Sequence, residues 1–202
     1  MIRTIIFAGL LILAVGGMTA CQQKSQYEKL VEKELASGER NDSLFLGLRL
    51  GMSSKEFYQA CWEMNKQGLV RQGTRNTTVV YQLGDQLPYS AVMDFYPKFM
   101  EDKIVEMPLV FRYDAWSPWN RRLWSDSLQL DVLHLMEDWY GEGFIRSEHP
   151  EKGVAFVKVD GNRRIAIVTP DEQLVKVLFT DMSVDIPRPE LPLEAAKNEG
   201  EE

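Results

Sequence analysis

The sequence predicts an α+β fold, with two tandem αβββ units, each a helix packed on an antiparallel meander, forming one compact body. Three observations predict it. An apolar stripe at helical spacing occurs twice, at Phe57, Ala60, Cys61, Met64 and at Leu128, Val132, Leu135, Met136, Trp139. Three apolar or alternating runs bounded by turn residues follow each stripe. Moved by 75 positions, Phe57, Ala60, Cys61 and Met64 land on Val132, Leu135, Met136 and Trp139, and Gly68-Leu69-Val70-Arg71 lands on Gly143-Phe144-Ile145-Arg146.

Residues 1–20 read as a targeting segment. Arg3 precedes an uncharged run from Thr4 to Ala20, and small residues close it. Gly16-Gly17-Met18-Thr19-Ala20-Cys21 resembles the lipobox of bacterial lipoproteins, with Met18 where Leu is usual. The resemblance implies acylation of Cys21, which becomes the mature N-terminus and ties the chain to a membrane. Each buried lipid CH₂ contributes about 0.8 kcal/mol, so several acyl chains on one Cys hold a folded domain there. Gln22, rather than Asp, after the Cys implies the outer membrane by the enterobacterial sorting rule. Residues 21–41 are polar and read as a tether, with a helical turn or two through Tyr27, Leu30, Val31 and Leu35.

The first unit spans 42–114. Its helix opens on Ser53-Ser54-Lys55-Glu56, a capping box, and stops at Gly68. Strands are expected at 78–83, 91–96 and 103–112. The second unit spans 115–184. Its helix starts near Asp126, with Gln129 three residues on, and ends by Gly141 or Gly143. Strands are expected at 154–159, 164–169 and 174–180, with Asp160-Gly161-Asn162 as a hairpin turn. Each unit is small for one core, so the two share a sheet or pack closely. Residues 185–202 hold three prolines in six positions and six acidic against two basic side chains, and read as a disordered acidic tail.

The chain has 202 residues, 45% hydrophobic and 26% charged, which is globular composition rather than a disordered or fibrous one. With 30 acidic against 23 basic residues the net charge is −7, which argues against a nucleic-acid partner. Four of those seven charges lie in the tail, so the body is not an acidic binding face. Two cysteines exclude a disulfide scaffold, and no Cys/His cluster has metal spacing. Cys61 reads as a small apolar side chain. His134 lies mid-helix and His149 in a turn, neither beside a sequence partner, and Glu101-Asp102 and Glu137-Asp138 read as solvated pairs. No catalytic motif or cofactor is expected.

Leu48-Arg49-Leu50-Gly51-Met52-Ser53-Ser54-Lys55-Glu56-Phe57 resembles the entry to the first helix of the small outer-membrane assembly lipoproteins (SmpA/OmlA, also called BamE). Phe57 stands where that pattern usually has Val. The resemblance, with that to the tandem domain of the beta-lactamase-inhibitor protein, implies helices against an antiparallel sheet and a function of binding other proteins. The lipobox and composition also resemble Bacteroides-type envelope lipoproteins.

The densest unusual segment, 113–124, joins the two units and holds three of the five Trp residues. Trp116, Trp119, Asn120, Arg121 and Trp124 are the candidate binding residues, because Trp and Arg are common interface anchors and aromatic faces also stack on sugars. The alternative is a connector pinned between the units by its own indoles. The expectation is a lipid-anchored, non-enzymatic protein-interaction module in the cell envelope. The other reading is a glycan-binding accessory lipoprotein that uses the same connector.

Overall fold

The computed structural model describes residues 25–74, 77–149 and 153–186. The expected targeting segment, Cys21 and residues 187–202 of the expected tail lie outside the described residues. The body is mixed α/β, with three helices and a nine-stranded antiparallel sheet. The helices are α1 (Gln26–Ser37), α2 (Ser54–Lys66) and α3 (Ser125–Tyr140). The strands are β1 (Val70–Gln72), β2 (Val79–Gln82), β3 (Ala91–Phe95), β4 (Lys98–Met100), β5 (Lys103–Tyr113), β6 (Ile145–His149), β7 (Gly153–Asp160), β8 (Arg163–Val168) and β9 (Val175–Asp181). Their order across the sheet is β1-β2-β3-β5-β9-β8-β7-β6, and β4 also pairs with β5.

The six expected strands form, and three more join them. β1 and β6 grow from the two Gly-apolar-apolar-Arg segments after α2 and α3, and each is an edge strand. β4 pairs with the start of β5, beyond the reach of β3. Pro108 lies where β5 has neither β3 nor β4 beside it, so a residue without an N–H is accommodated in a central strand.

α2 begins as its capping box dictates. The Ser53 hydroxyl accepts from the Glu56 N–H while the Glu56 carboxylate accepts from the Ser53 N–H. α3 starts at Ser125, within one residue of the expected place, but after Trp124 and with no side-chain cap. Its first N–H, from Ser125, donates to the Glu172 carbonyl, and Gln129 turns inward to donate to the Val154 carbonyl at 2.8 Å. Its far end is closed by Lys158, whose ammonium donates to the carbonyls of Tyr140, Gly141 and Glu142.

α2 and α3 pack on one face of the sheet. Phe57 and Met64 from α2, and Leu128, Val132, Leu135 and Met136 from α3, join one core with Met93, Phe95, Leu109, Phe111, Ile165, Ile167, Val177 and Phe179. Segment 42–52 contributes to the same core through Leu44, Phe45, Leu48, Leu50 and Met52. Its tip is a tight turn in which Leu46 and Gly47 both have positive φ. A left-handed Leu costs about 1–2 kcal/mol, and burial of Phe45 and Leu48 on either side offsets it. Polar bonds tie the preceding residues to β7–β9. The Asn41 N–H donates to Asn162, the Asn162 amide donates to Asp42 and Asp181, and Arg163 donates to the Ser43 carbonyl.

The polar tether expected over 21–41 carries more structure than a turn or two. α1 is a three-turn helix with its own capping box, Ser25 with Glu28. It lies on the opposite face of the sheet, where Tyr27, Leu30 and Val31 cover Val157, Val159 and Ala166. Beneath it Arg164 is fully buried, its guanidinium donating to the Tyr27 hydroxyl at 3.1 Å and to the Thr180 hydroxyl at 3.3 Å. Charged residues dilute the apolar stripe of α1, so its periodicity is weak in the sequence.

Candidate functional site

Among the described residues, two surfaces and a cleft carry groups able to bind something. The connector holds the residues singled out from the sequence, and the structure divides them. Trp116 and Trp124 are half-buried, with ring centroids 6.3 Å apart. Each uses its indole N–H inside the fold, Trp116 to the Glu172 carbonyl and Trp124 to the Ser117 carbonyl, both at 3.2 Å. The Arg121 guanidinium sits 3.9 Å above the Trp124 ring. Leu123 is buried, and Asn120 is exposed with its backbone spent on the turn. These residues pin the connector to the β8–β9 loop. Trp119 is held apart from them, 86% exposed.

The second surface lies between α2 and edge strand β1, a groove of about 270 Å³. Phe57 is fully buried at its base and supports Tyr58, Tyr96 and Phe99 by edge-on ring contacts of 5.6–6.0 Å. The Tyr58 and Tyr96 hydroxyls share a hydrogen bond at 2.6 Å. Trp62 is 55% exposed, with the Lys66 ammonium 4.3 Å from its ring centroid, and Tyr58 is 51% exposed. Cys61 lines the same groove, and burial pushes its thiol up to about 11, so it stays protonated and unreactive near neutral pH. No histidine is among the groove's described walls.

This aromatic patch was missed from the sequence, although a signal was there. Tyr58 and Trp62 are four residues apart and flank the buried stripe, so the aromatic face of α2 is wider than its core contact needs.

The cleft, of about 600 Å³, opens between the 43–46 turn and the end of α3. Phe45, Trp139 and Tyr140 form its apolar wall, and Arg163 stacks 4.7 Å from the Tyr140 ring centroid. Burial raises the Tyr140 pKa, opposed by Arg163, and its hydroxyl finds no hydrogen-bond partner among the described residues.

The remaining expectations fall outside these places. His134 is exposed on α3, and His149 ends β6 with a side chain outside the described ones. Glu101 and Asp102 are the two positive-φ residues of the β4–β5 turn, where Asp102 accepts from the Ser54 N–H at 3.2 Å. Gly161, in the expected Asp-Gly-Asn hairpin turn, lies so close to Glu39 that a Cβ would stand 2.5 Å from its carbonyl oxygen. No group of three or more His, Cys, Asp or Glu among the described residues could hold a metal ion. No described helix is long and apolar enough to cross a membrane.

Glu56 gives a pH prediction. Bonds from the Ser53 backbone and hydroxyl, then from Arg49, hold its carboxyl down at about 2 against an ordinary 4.5. The folded value is the depressed one. Its contribution to stability is therefore present above the ordinary value and is lost as pH falls from there towards about 2. A carboxyl ¹³C titration should place Glu56 well below 4.5, and Ser53→Ala, which removes the hydroxyl but keeps the backbone N–H, should raise it part of the way back. An unshifted Glu56 in the wild type would refute the capping box.

No protein-family model matches this chain, and no curated protein or solved structure matches it significantly.

Proposed function

We propose that this chain is a lipid-anchored cell-envelope protein whose body is a non-enzymatic module for binding another envelope protein. The observation that carries this reading is the aromatic groove beside an open sheet edge. Tyr58, Trp62 and Tyr96 stand at the surface on a base fixed by Phe57, and aromatic side chains held in this way are frequent anchors of protein interfaces. The occupant is an extended segment of the partner, added to β1. The Gly73 N–H donates to the Thr78 carbonyl at 2.8 Å, which sets the phase of the ladder. Arg71 then faces β2, and Val70 and Gln72 turn their backbone outward. The Val70 carbonyl takes the Asn65 amide, which leaves Gln72 as the pairing point, with the groove ready for the partner's alternate side chains.

The body is read as two tandem units. In both halves the chain runs inward from an edge strand to the central β5–β9 pair, through β1, β2 and β3 to β5 and through β6, β7 and β8 to β9, with a helix before each edge strand. The shift of 75 that relates the two helices supports the same division. Acylation at Cys21 would hold this surface at high effective concentration along the membrane.

The test is mild crosslinking of intact cells followed by purification of the lipidated protein. A stoichiometric protein partner is expected. Trp62→Ala should weaken that complex by at least about 30-fold, the effect of losing one interface anchor. Its melting temperature should barely move, because the ring is more than half exposed. A partner held equally well by Trp62→Ala and Tyr58→Ala would remove the groove from the proposal. Absence of any stoichiometric partner would remove the interaction function.

A further inference from the structure

We propose that the apex of the connector, Trp119 with Arg121 and Arg122, rests on the anionic phospholipid surface to which the chain is anchored. This rests on the reading of Cys21 as the acylated residue. The direction of α1 carries the argument. Near its C-terminal end, Glu34 accepts from the Gly161 N–H, at the β7–β8 turn. Near its N-terminal end, Tyr27 shares an apolar cluster with Val157, Val159 and Ala166 and its hydroxyl accepts from Arg164, all further along the same two strands than Gly161. The N-terminus of α1 therefore points away from the β7–β8 turn and towards the opposite end of the sheet.

That opposite end is where the connector sits. Both the Trp116 indole and the Ser125 N–H donate to the carbonyl of Glu172, in the loop where β8 ends and β9 begins. Three residues lie between Cys21 and Ser25, and the four residue steps from one to the other span at most about 14 Å. An acylated Cys21 thus brings the membrane to the connector end of the body, and the groove on α2 and β1 remains a separate surface for a protein.

The chemistry of the apex fits that surface. An indole has an apolar body and one N–H, and Trp collects where hydrocarbon meets headgroups. Trp119 is 86% exposed, while Trp116 and Trp124 keep the connector rigid beneath it. Arg121, stacked on the Trp124 ring, and Arg122 follow within three residues and are exposed, so two cations stand beside the indole for anionic headgroups. The carboxylates of Asp126 and Asp171 each accept backbone N–H bonds, Asp126 from Ser127 and Asp171 from Gln173 and Leu174, and Glu172 beside Asp171 is exposed.

The experiment uses the lipidated protein on vesicles of phosphatidylethanolamine with a minority of phosphatidylglycerol, some bearing brominated acyl chains. Brominated lipid should quench part of the tryptophan emission. Trp119→Phe should remove that component and leave the melting temperature unchanged. In a mature chain made with Cys21→Ser, Arg122→Gln should lower vesicle affinity roughly fivefold. Absence of quenching in the wild type, or the same quenching in Trp119→Phe, overturns the proposal. So does a photo-crosslinker at position 119 that captures a protein rather than lipid. Mass spectrometry of the same sample separates the two readings. Acyl chains on Cys21 without Trp119 quenching leave the anchor standing and reject only the surface contact, whereas an unacylated Cys21 overturns both.

Discussion

Phe45→Ala should destabilise the whole body by about 3–5 kcal/mol, the usual cost of truncating a buried aromatic side chain. The ring is buried at the tip of segment 42–52 and touches three elements. It meets Phe95 of β3 edge-on at 4.9 Å, Phe179 of β9 at 6.4 Å and Trp139 of α3 at 6.5 Å. These belong to both halves of the sheet and to α3, so no single half can close around the void. For a body of this size the loss corresponds to a drop in melting temperature of roughly 10 °C. Urea unfolding followed by circular dichroism and by tryptophan emission should give one coincident transition, shifted to lower denaturant. A loss below about 1 kcal/mol would mean that segment 42–52 does not fill this position. Two separated transitions would mean that the halves do not share a core.

The same segment shows where sequence reasoning reaches its limit. Both helices are legible, because Phe57-Ala60-Cys61-Met64 and Leu128-Val132-Leu135-Met136 follow helical spacing without interruption and need only one face covered. The six main strands are legible from alternation and turn residues. Segment 42–52 has neither signal. Leu44, Phe45, Leu48 and Leu50 have no single period, since they belong to a tight turn whose side chains are buried by tertiary contact. β1 and β4 are too short to show a period, at three residues each. The start of α3 is legible to within one residue, but its first N–H is satisfied by a carbonyl 47 residues away, at Glu172, which no local pattern records.

The candidate site was legible in part for a related reason. Composition draws the eye to the connector, because three Trp residues lie within nine positions. Composition cannot separate an indole whose N–H is spent on the fold, as in Trp116 and Trp124, from one turned to solvent, as in Trp119. The groove was less visible still. Its aromatic residues come from α2 and from Tyr96, 38 residues after Tyr58, and only the fold brings the two hydroxyls within 2.6 Å.

Tyr27→Ala should release α1 and leave the rest of the body folded. Tyr27 is the buried residue of that helix, and Leu30 and Val31 are only partly covered. A helix of twelve residues is marginal in water without tertiary support, so α1 should melt once its anchor is gone. The energetic cost has a ceiling. While α1 stays docked, loss of the Tyr27 hydroxyl deprives the buried Arg164 guanidinium of an acceptor, which costs about 1–3 kcal/mol. When α1 leaves, water reaches Arg164 and that penalty disappears. Undocking thus limits the total loss to the docking energy of the helix. Hydrogen exchange should show the amides of 26–37 losing protection while those of β7, β8 and β9 keep theirs. Tyr27→Phe, which retains the ring, should keep α1 protected at lower overall stability. Equal loss of protection throughout the sheet in Tyr27→Ala would refute a separately docked helix. In an acylated chain the change would also be mechanical. With α1 docked, four residues separate Cys21 from the folded body. With α1 melted, about twenty do, a flexible span of roughly 25 Å. Docking of α1 would then decide whether the body lies against the membrane or stands off from it.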